Sequence, residues 1–305
     1  MKFAGGLVLM ALVLPGLIPV SAQEPPQATF KSTVKLVPLT VNVKDANGEL
    51  VGSLEKSDFT VYDCGIKQEI VNFEQQSKSP LMVSVLIDTS ASTLIDIRYE
   101  TTSIQKFFKA LLGSGNPSDM AAVFSFNQDV TVLRGFTRNA GQLNGSLRSL
   151  TSVGSTALYD AIVFASREVS DRDGRHVIVI VTDGGNTSSH FRFQDAIREA
   201  HLANAVIYPI VVVPISNDAG RNVGGENSLV QIAKDTGGRT FYPSVSQLDR
   251  TFADILKDLR RSYVLGYYPH DLPADAPAFH PVRVELSRPE LRPTLREGYY
   301  EVAAP

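Results

Sequence analysis

Four nearly continuous apolar runs decide what this chain can fold into. The first is Leu81-Met82-Val83-Ser84-Val85-Leu86-Ile87; Ala121 to Phe126, Val177-Ile178-Val179-Ile180-Val181 and Val206 to Val213 follow. A strand with one wet face alternates apolar and polar residues. An unbroken apolar run therefore reads as a strand buried on both faces, as in a parallel sheet covered by helices. Helical spacing fills the intervals: Ile104, Phe107, Phe108, Leu111 and Leu112, then Leu158, Ile162 and Ala165, later Ile255, Leu256 and Leu259. Strands alternating with helices predict an α/β fold with a doubly wound, mostly parallel sheet. Ala121–Phe126 and Val130–Phe136, separated by only three residues, read as a hairpin and so as one antiparallel edge strand.

Both flanks follow a different rule. Val37 to Val43 alternates with period two and runs into Asp45-Ala46-Asn47-Gly48, a turn signal. Short strands follow at Phe59–Tyr62 and Glu69–Phe73; beyond Arg261, Tyr263–Tyr268 and Val282–Leu286 alternate again, with a third strand expected within Leu295–Tyr300. Each flank has too few strands to bury a core alone, so the two are expected to complete one antiparallel β-sandwich together.

The first residues are not read as fold. Lys2, the apolar run from Gly6 to Leu14, the breakers Pro15, Gly16 and Pro19, and then Val20-Ser21-Ala22 have the layout of a secretory signal peptide cut after Ala22. This predicts an exported protein: periplasmic, cell-surface or secreted. The composition of the 305 residues, 43% hydrophobic and 20% charged with a net charge of −3, is that of a globular protein without a basic footprint for nucleic acid. The single cysteine, Cys64, precludes an internal disulfide. It stands before Gly65 where a turn is expected, with no histidine or second cysteine near it in sequence.

The chemistry gathers where strands of an open α/β sheet end, since ligands bind beyond their carboxyl ends. The first buried strand ends in Asp88-Thr89-Ser90-Ala91-Ser92, the third in Thr182-Asp183-Gly184-Gly185, and Gly154-Ser155-Thr156 precedes a helix beginning near Ala157. Hydroxyl and carboxylate oxygens suit Mg²⁺, Mn²⁺ or Ca²⁺ and suit Zn²⁺ poorly. Mg²⁺ keeps several of its waters, so a site with few protein ligands leaves a position open for an outside oxygen. Singly, each piece has a plainer reading: Ser90, Ser92, Ser155 and Thr156 as helix caps, Asp183-Gly184 as a turn.

Taken together, Asp88-x-Ser90-x-Ser92, Thr156 within Gly-Ser-Thr-Ala-Leu-Tyr-Asp and Asp183 within Val-Thr-Asp-Gly-Gly resemble the metal-ion-dependent adhesion site of von Willebrand factor A (VWFA, or VWA) domains, over roughly Pro80 to Arg261. The resemblance implies a Rossmann-like domain in which Ser90, Ser92 and Thr156 coordinate Mg²⁺ or Mn²⁺ directly. Asp88 and Asp183 would act through water, and a partner protein's Asp or Glu carboxylate would fill the open position. The flanking β segments look like those of the exported VWFA-related proteins of acidobacteria, although Cys64-Gly65 stands where that group tends to have Asp-Gly or Asn-Gly. The expected layout is signal peptide 1–22, N-terminal β region 23–79, VWA domain 80–261 and C-terminal β region 262–305. The alternative function is a metal-dependent hydrolase using the same site. Against it, none of the five histidines falls where a general base is wanted, and no His-Glu-x-x-His, Gly-x-Ser-x-Gly or phosphate-cradling loop occurs. The reading is therefore a binder, not an enzyme.

Overall fold

A computed structural model of the chain describes residues 35–75, 78–91, 97–113, 115–212, 223–273 and 275–300. The segment read as a signal peptide lies outside these residues. Thirteen strands and six α-helices are described. In the central layer, β5 (Leu81–Asp88), β6 (Met120–Phe126), β7 (Val130–Thr137), β8 (Arg175–Thr182) and β9 (Val206–Val211) form one sheet in the order β7-β6-β5-β8-β9. All its pairings are parallel except β6 with β7, the hairpin at one edge.

The continuous runs are explained by what lies on each face. Odd-numbered residues of β5, Leu81, Val83, Val85 and Ile87, pack with Ile104, Phe107 and Leu111 of α1 (Ile97–Gly113) and Phe252, Ile255 and Leu259 of α6 (Leu248–Arg261). Even-numbered Met82 and Leu86 pack on the other side with Leu158 and Ile162 of α3 (Leu158–Ser170), Ala196 of α4 (Phe193–Leu202) and Leu229 of α5 (Val223–Thr236). Both pleat directions thus meet helices, and no position along β5 can be polar without cost. Each fully buried Leu, Ile or Phe there contributes about 1.5–3 kcal/mol. A short further helix, α2 (Ala140–Ser146), opens on Asn139, whose side chain accepts from the Gln142 N–H.

The two flanks build the sandwich. One sheet has the order β12-β1-β10-β4, the other β13-β11-β2-β3. Here β1 is Val37–Lys44, β2 Phe59–Asp63, β3 Ile66–Gln68, β4 Ile70–Glu74, β10 Tyr263–Tyr267, β11 Phe279–Leu286, β12 Arg292–Thr294 and β13 Gly298–Tyr300. Every contact between the two flanks is antiparallel: β1 with β10 and β12, β4 with β10, and β2 with β11. Leu39, Val41, Phe59, Val61, Tyr263, Leu265, Tyr267, Val282 and Tyr299 share one core. The Tyr263 hydroxyl donates to Val51 O at 2.9 Å and accepts from the Leu54 N–H at 3.0 Å, so a C-terminal strand pins the loop between β1 and β2. Gly224 and Gly225 lie within the first turn of α5, and His176 lies inside β8.

Candidate metal-binding site

The winding reverses between β5 and β8: the chain runs outward from β5 to β6 and β7, then returns to lay β8 and β9 on the other side. Asp88, the last residue of β5, sits at that point and is fully buried. Its Oδ1 accepts from the Ser90 N–H at 2.9 Å, and its Oδ2 accepts from the Thr182 hydroxyl at 2.6 Å. The same hydroxyl accepts from the Gly184 N–H at 3.1 Å, locking the turn after β8 to the end of β5. Burial pushes the Asp88 carboxyl up to about 6, against the hydrogen bonds from Thr182 and Ser90, and the charge of Asp183 adds to the push. A cation in contact would return such a group to its ionised range.

A third loop closes on these two. The Val153 N–H donates to Thr89 O at 2.9 Å and the Ala91 N–H to Gly154 O at 3.3 Å. Thr156, itself buried, donates its N–H to Thr187 Oγ1 at 2.9 Å, and its carbonyl accepts from the N–H groups of Thr187 and Ser188 at 2.8 and 3.1 Å. Asp183, half-buried, accepts from the Gly185 N–H at 3.2 Å. A methyl group built on Gly185 would lie 3.4 Å from Asp183 Oδ1 and 3.5 Å from Thr156 Oγ1, so these two oxygens border one small space that glycine leaves open. Asp88, Ser90, Thr156 and Asp183 therefore stand on three interlocked loops at one edge of the sheet. Ser92 lies outside the described residues. The assembled donors are hydroxyl and carboxylate oxygens, which fit a hard, strongly hydrated divalent cation.

Several supporting residues escape a reading of the sequence. Thr182 matters because it orients Asp88; its one signal is that it is a hydroxyl closing a buried strand beside Asp183. Asn186 accepts from the Leu158 N–H at 3.1 Å and so holds the start of α3. Glu226 is buried in the first turn of α5, where its Cγ lies 3.1 Å from the point a Cβ on Gly184 would occupy. The expectation that no histidine attends Cys64 is overturned in space. Pairing of β2 with β11 brings His280 to Asp63 and Cys64, with one potential donor atom of each residue within 4.8 Å of the others.

Residues 83–186, which include all five positions read from the sequence, match the von Willebrand factor type A domain family. Comparison with curated proteins gives no significant match. Among solved structures, proximal thread matrix protein 1 of the mussel byssus is 18% identical, with 65% of this chain and 49% of that one covered and a TM-score of 0.50. The vWF domain of the type V pili tip protein Mfa5 from Porphyromonas gingivalis is 16% identical, covering 59% and 94% of the two chains at a TM-score of 0.49. BatB from Bacteroides thetaiotaomicron is 17% identical, covering 58% and 98% at 0.46. Identities this low speak to the fold alone. The chain has the fold of a von Willebrand factor A-type domain, a mixed sheet between helices, with antiparallel sheets from its two flanks beside it.

Proposed function

We propose that this is an exported VWA-domain protein that recognises a partner protein through a divalent cation. Asp88, Ser90, Ser92, Thr156 and Asp183 would hold Mg²⁺ or Mn²⁺, the hydroxyls as direct ligands and the carboxylates largely through water. The bound ion would supply a positive centre with one position open to an acidic group of the partner. The observation that carries this reading is the buried Asp88 carboxylate, oriented by Ser90 and Thr182 and displaced upward by desolvation, at the reversal point of the sheet. Export rests on the layout of residues 1–22; no helix among the described residues is long and apolar enough to cross a membrane. The flanking β segments further suggest kinship with exported VWFA-related proteins.

Binding is favoured over hydrolysis because the histidines are engaged elsewhere. His176 bonds Ala203 O and Arg172 O, His201 bonds Gly298 O, and His280 bonds the Tyr299 hydroxyl. His190 pairs with Asp160 and His270 with Asp271. Calorimetric titration of wild type and Asp88→Ala with Mg²⁺, followed by capture of partners from envelope extracts with and without EDTA, tests the proposal. Loss of metal binding in Asp88→Ala and EDTA-sensitive capture are expected. Equal metal affinity in the two proteins, or capture indifferent to EDTA, would refute it.

A further inference from the structure

We propose that Asp63, Cys64 and His280 form a second metal site, of zinc type, inside the β-sandwich. Asp63 ends β2, and Cys64-Gly65 makes the tight turn into β3. Antiparallel pairing sets Asp63 opposite Val282 of β11, and the Cys64 N–H donates to Pro281 O at 3.0 Å. His280 is the next residue along β11, so the backbone ladder itself delivers an imidazole to a carboxylate and a thiol. One potential donor atom from each of the three lies within 4.8 Å of the other two.

The carboxylate anchors the cluster. Asp63 is fully buried. Its Oδ2 accepts from the hydroxyls of Tyr267 and Tyr299, each at 2.8 Å. Its Oδ1 is sealed from solvent and has no hydrogen bond of good geometry; the His280 Nδ1 stands 3.4 Å away, and the Cys64 thiol is the carboxyl's other neighbour. A buried carboxylate oxygen without a well-placed donor is costly, and the tyrosines turn that oxygen toward the thiol and the imidazole. Hydroxyls that fix a carboxylate in this way are what a metal ligand needs around it. His280 is oriented too: its ring packs on that of Tyr299 at 4.8 Å, and its Nδ1 lies 3.1 Å from the Tyr299 hydroxyl.

Cys64 supplies the thiol from the turn. Its φ of +47° is left-handed, a conformation that turns of this kind give to Asn, Asp or Gly and that is strained for cysteine. A divalent ion would hold the thiol as thiolate, because a coordinating thiol is deprotonated outright. Sulfur, nitrogen and oxygen ligands together select Zn²⁺ and are wrong for Mg²⁺ or Ca²⁺. Cys64 is half-exposed, so a water could complete the coordination from that side. Zinc bonds of about 2.0–2.3 Å require the three donors, now within 4.8 Å of one another, to close on one point. The consequence is a metal staple between the N-terminal hairpin and a C-terminal strand, in a chain whose single cysteine rules out an internal disulfide.

The test titrates the full mature protein with Zn²⁺ under reducing conditions, with Mg²⁺ in excess to saturate the hydroxyl-rich site. Wild type, Cys64→Ser and His280→Gln are compared, and Co²⁺ serves as a spectroscopic probe. We expect one zinc per chain in wild type, slower alkylation of Cys64 when zinc is bound, and a near-ultraviolet thiolate-to-cobalt band that Cys64→Ser lacks. Affinity should fall by about 100-fold or more in each variant, at least the loss seen when outer-shell partners of a metal are removed. Circular dichroism checks folding, and Cys64→Ser, a near-isosteric change at a half-exposed position, decides the question if His280→Gln fails to fold. No zinc binding by wild type, no thiolate band, or unchanged affinity in Cys64→Ser would overturn the site.

Discussion

Removing one oxygen atom tests whether the two flanks truly hold one another. Tyr263 lies on β10, fully buried, with its ring 5.0 Å from Phe59 and 6.0 Å from Phe73. Tyr263→Phe keeps that ring and its packing and deletes only the hydroxyl that bonds Val51 O and the Leu54 N–H. Leu54 is 1% exposed, so its N–H cannot turn to water. Two hydrogen bonds of about 1 kcal/mol each, plus part of the ~1–3 kcal/mol for stranding a buried donor, give an expected loss of about 2–4 kcal/mol. Urea denaturation of both proteins reads this as a lower midpoint at unchanged slope. Hydrogen exchange should quicken first in residues 51–55. A change below about 0.5 kcal/mol, in the range of a neutral surface substitution, would mean that the hydroxyl does not clasp the N-terminal loop.

Three further outcomes are expected. Gly185→Ala should leave stability nearly unchanged, since its methyl meets Asp183 and Thr156 at ordinary contact distance, yet weaken Mg²⁺ binding by calorimetry about tenfold or more by filling the space between their oxygens. Burial, and then the charge of Arg296, lower His201 from 6.5 to about 4. The unfolded chain therefore takes up this proton below pH 6.5 while the native state refuses it until about pH 4, so up to ~3 kcal/mol of stability drains away as pH falls through that window. Denaturation at pH 7 and 4.5 should show this slope in wild type and a flatter one in His201→Gln. Asp119, fully buried, accepts from the Leu81 N–H at 2.8 Å and pairs with Arg260. Asp119→Ala leaves the buried Leu81 N–H without its acceptor and should cost about 1–3 kcal/mol in the same assay.

Legibility in the sequence followed the range of the interaction. The buried strands, the β6–β7 hairpin and the need of each flank for the other are written in local periodicity, and all three are found. Asp88, Thr156 and Asp183 could be placed because strand ends and helix starts are local events and the α/β topology then dictates which ends meet. The Asp63, Cys64 and His280 cluster could not, since it depends on the register of β2 against β11, and alternation fixes which face a residue takes but not its partner. Gly224 and Gly225 hide the start of α5 for a related reason: glycine is a poor helix former, yet here the helix begins through them where Glu226 packs against Gly184. The helix α2, seven residues with two glycines, carries too little apolar pattern to be seen at all.

The strand order of the sandwich also sets the sequence of its assembly. Both neighbours of β1, β10 and β12, come from the far end of the chain, and so does β11, which flanks β2. As the polypeptide emerges, only the β2–β3 hairpin among the N-terminal strands can close at once. The α/β layers, whose partners follow one another along the chain, have all their strands long before β10 exists. The N-terminal strands must wait with open edges, and closing the intervening loop then costs little more than closing one half its length. A chain cut short before β10 would therefore fold its α/β layers and display β1 and β4 unpaired, poised to accept a strand from another copy.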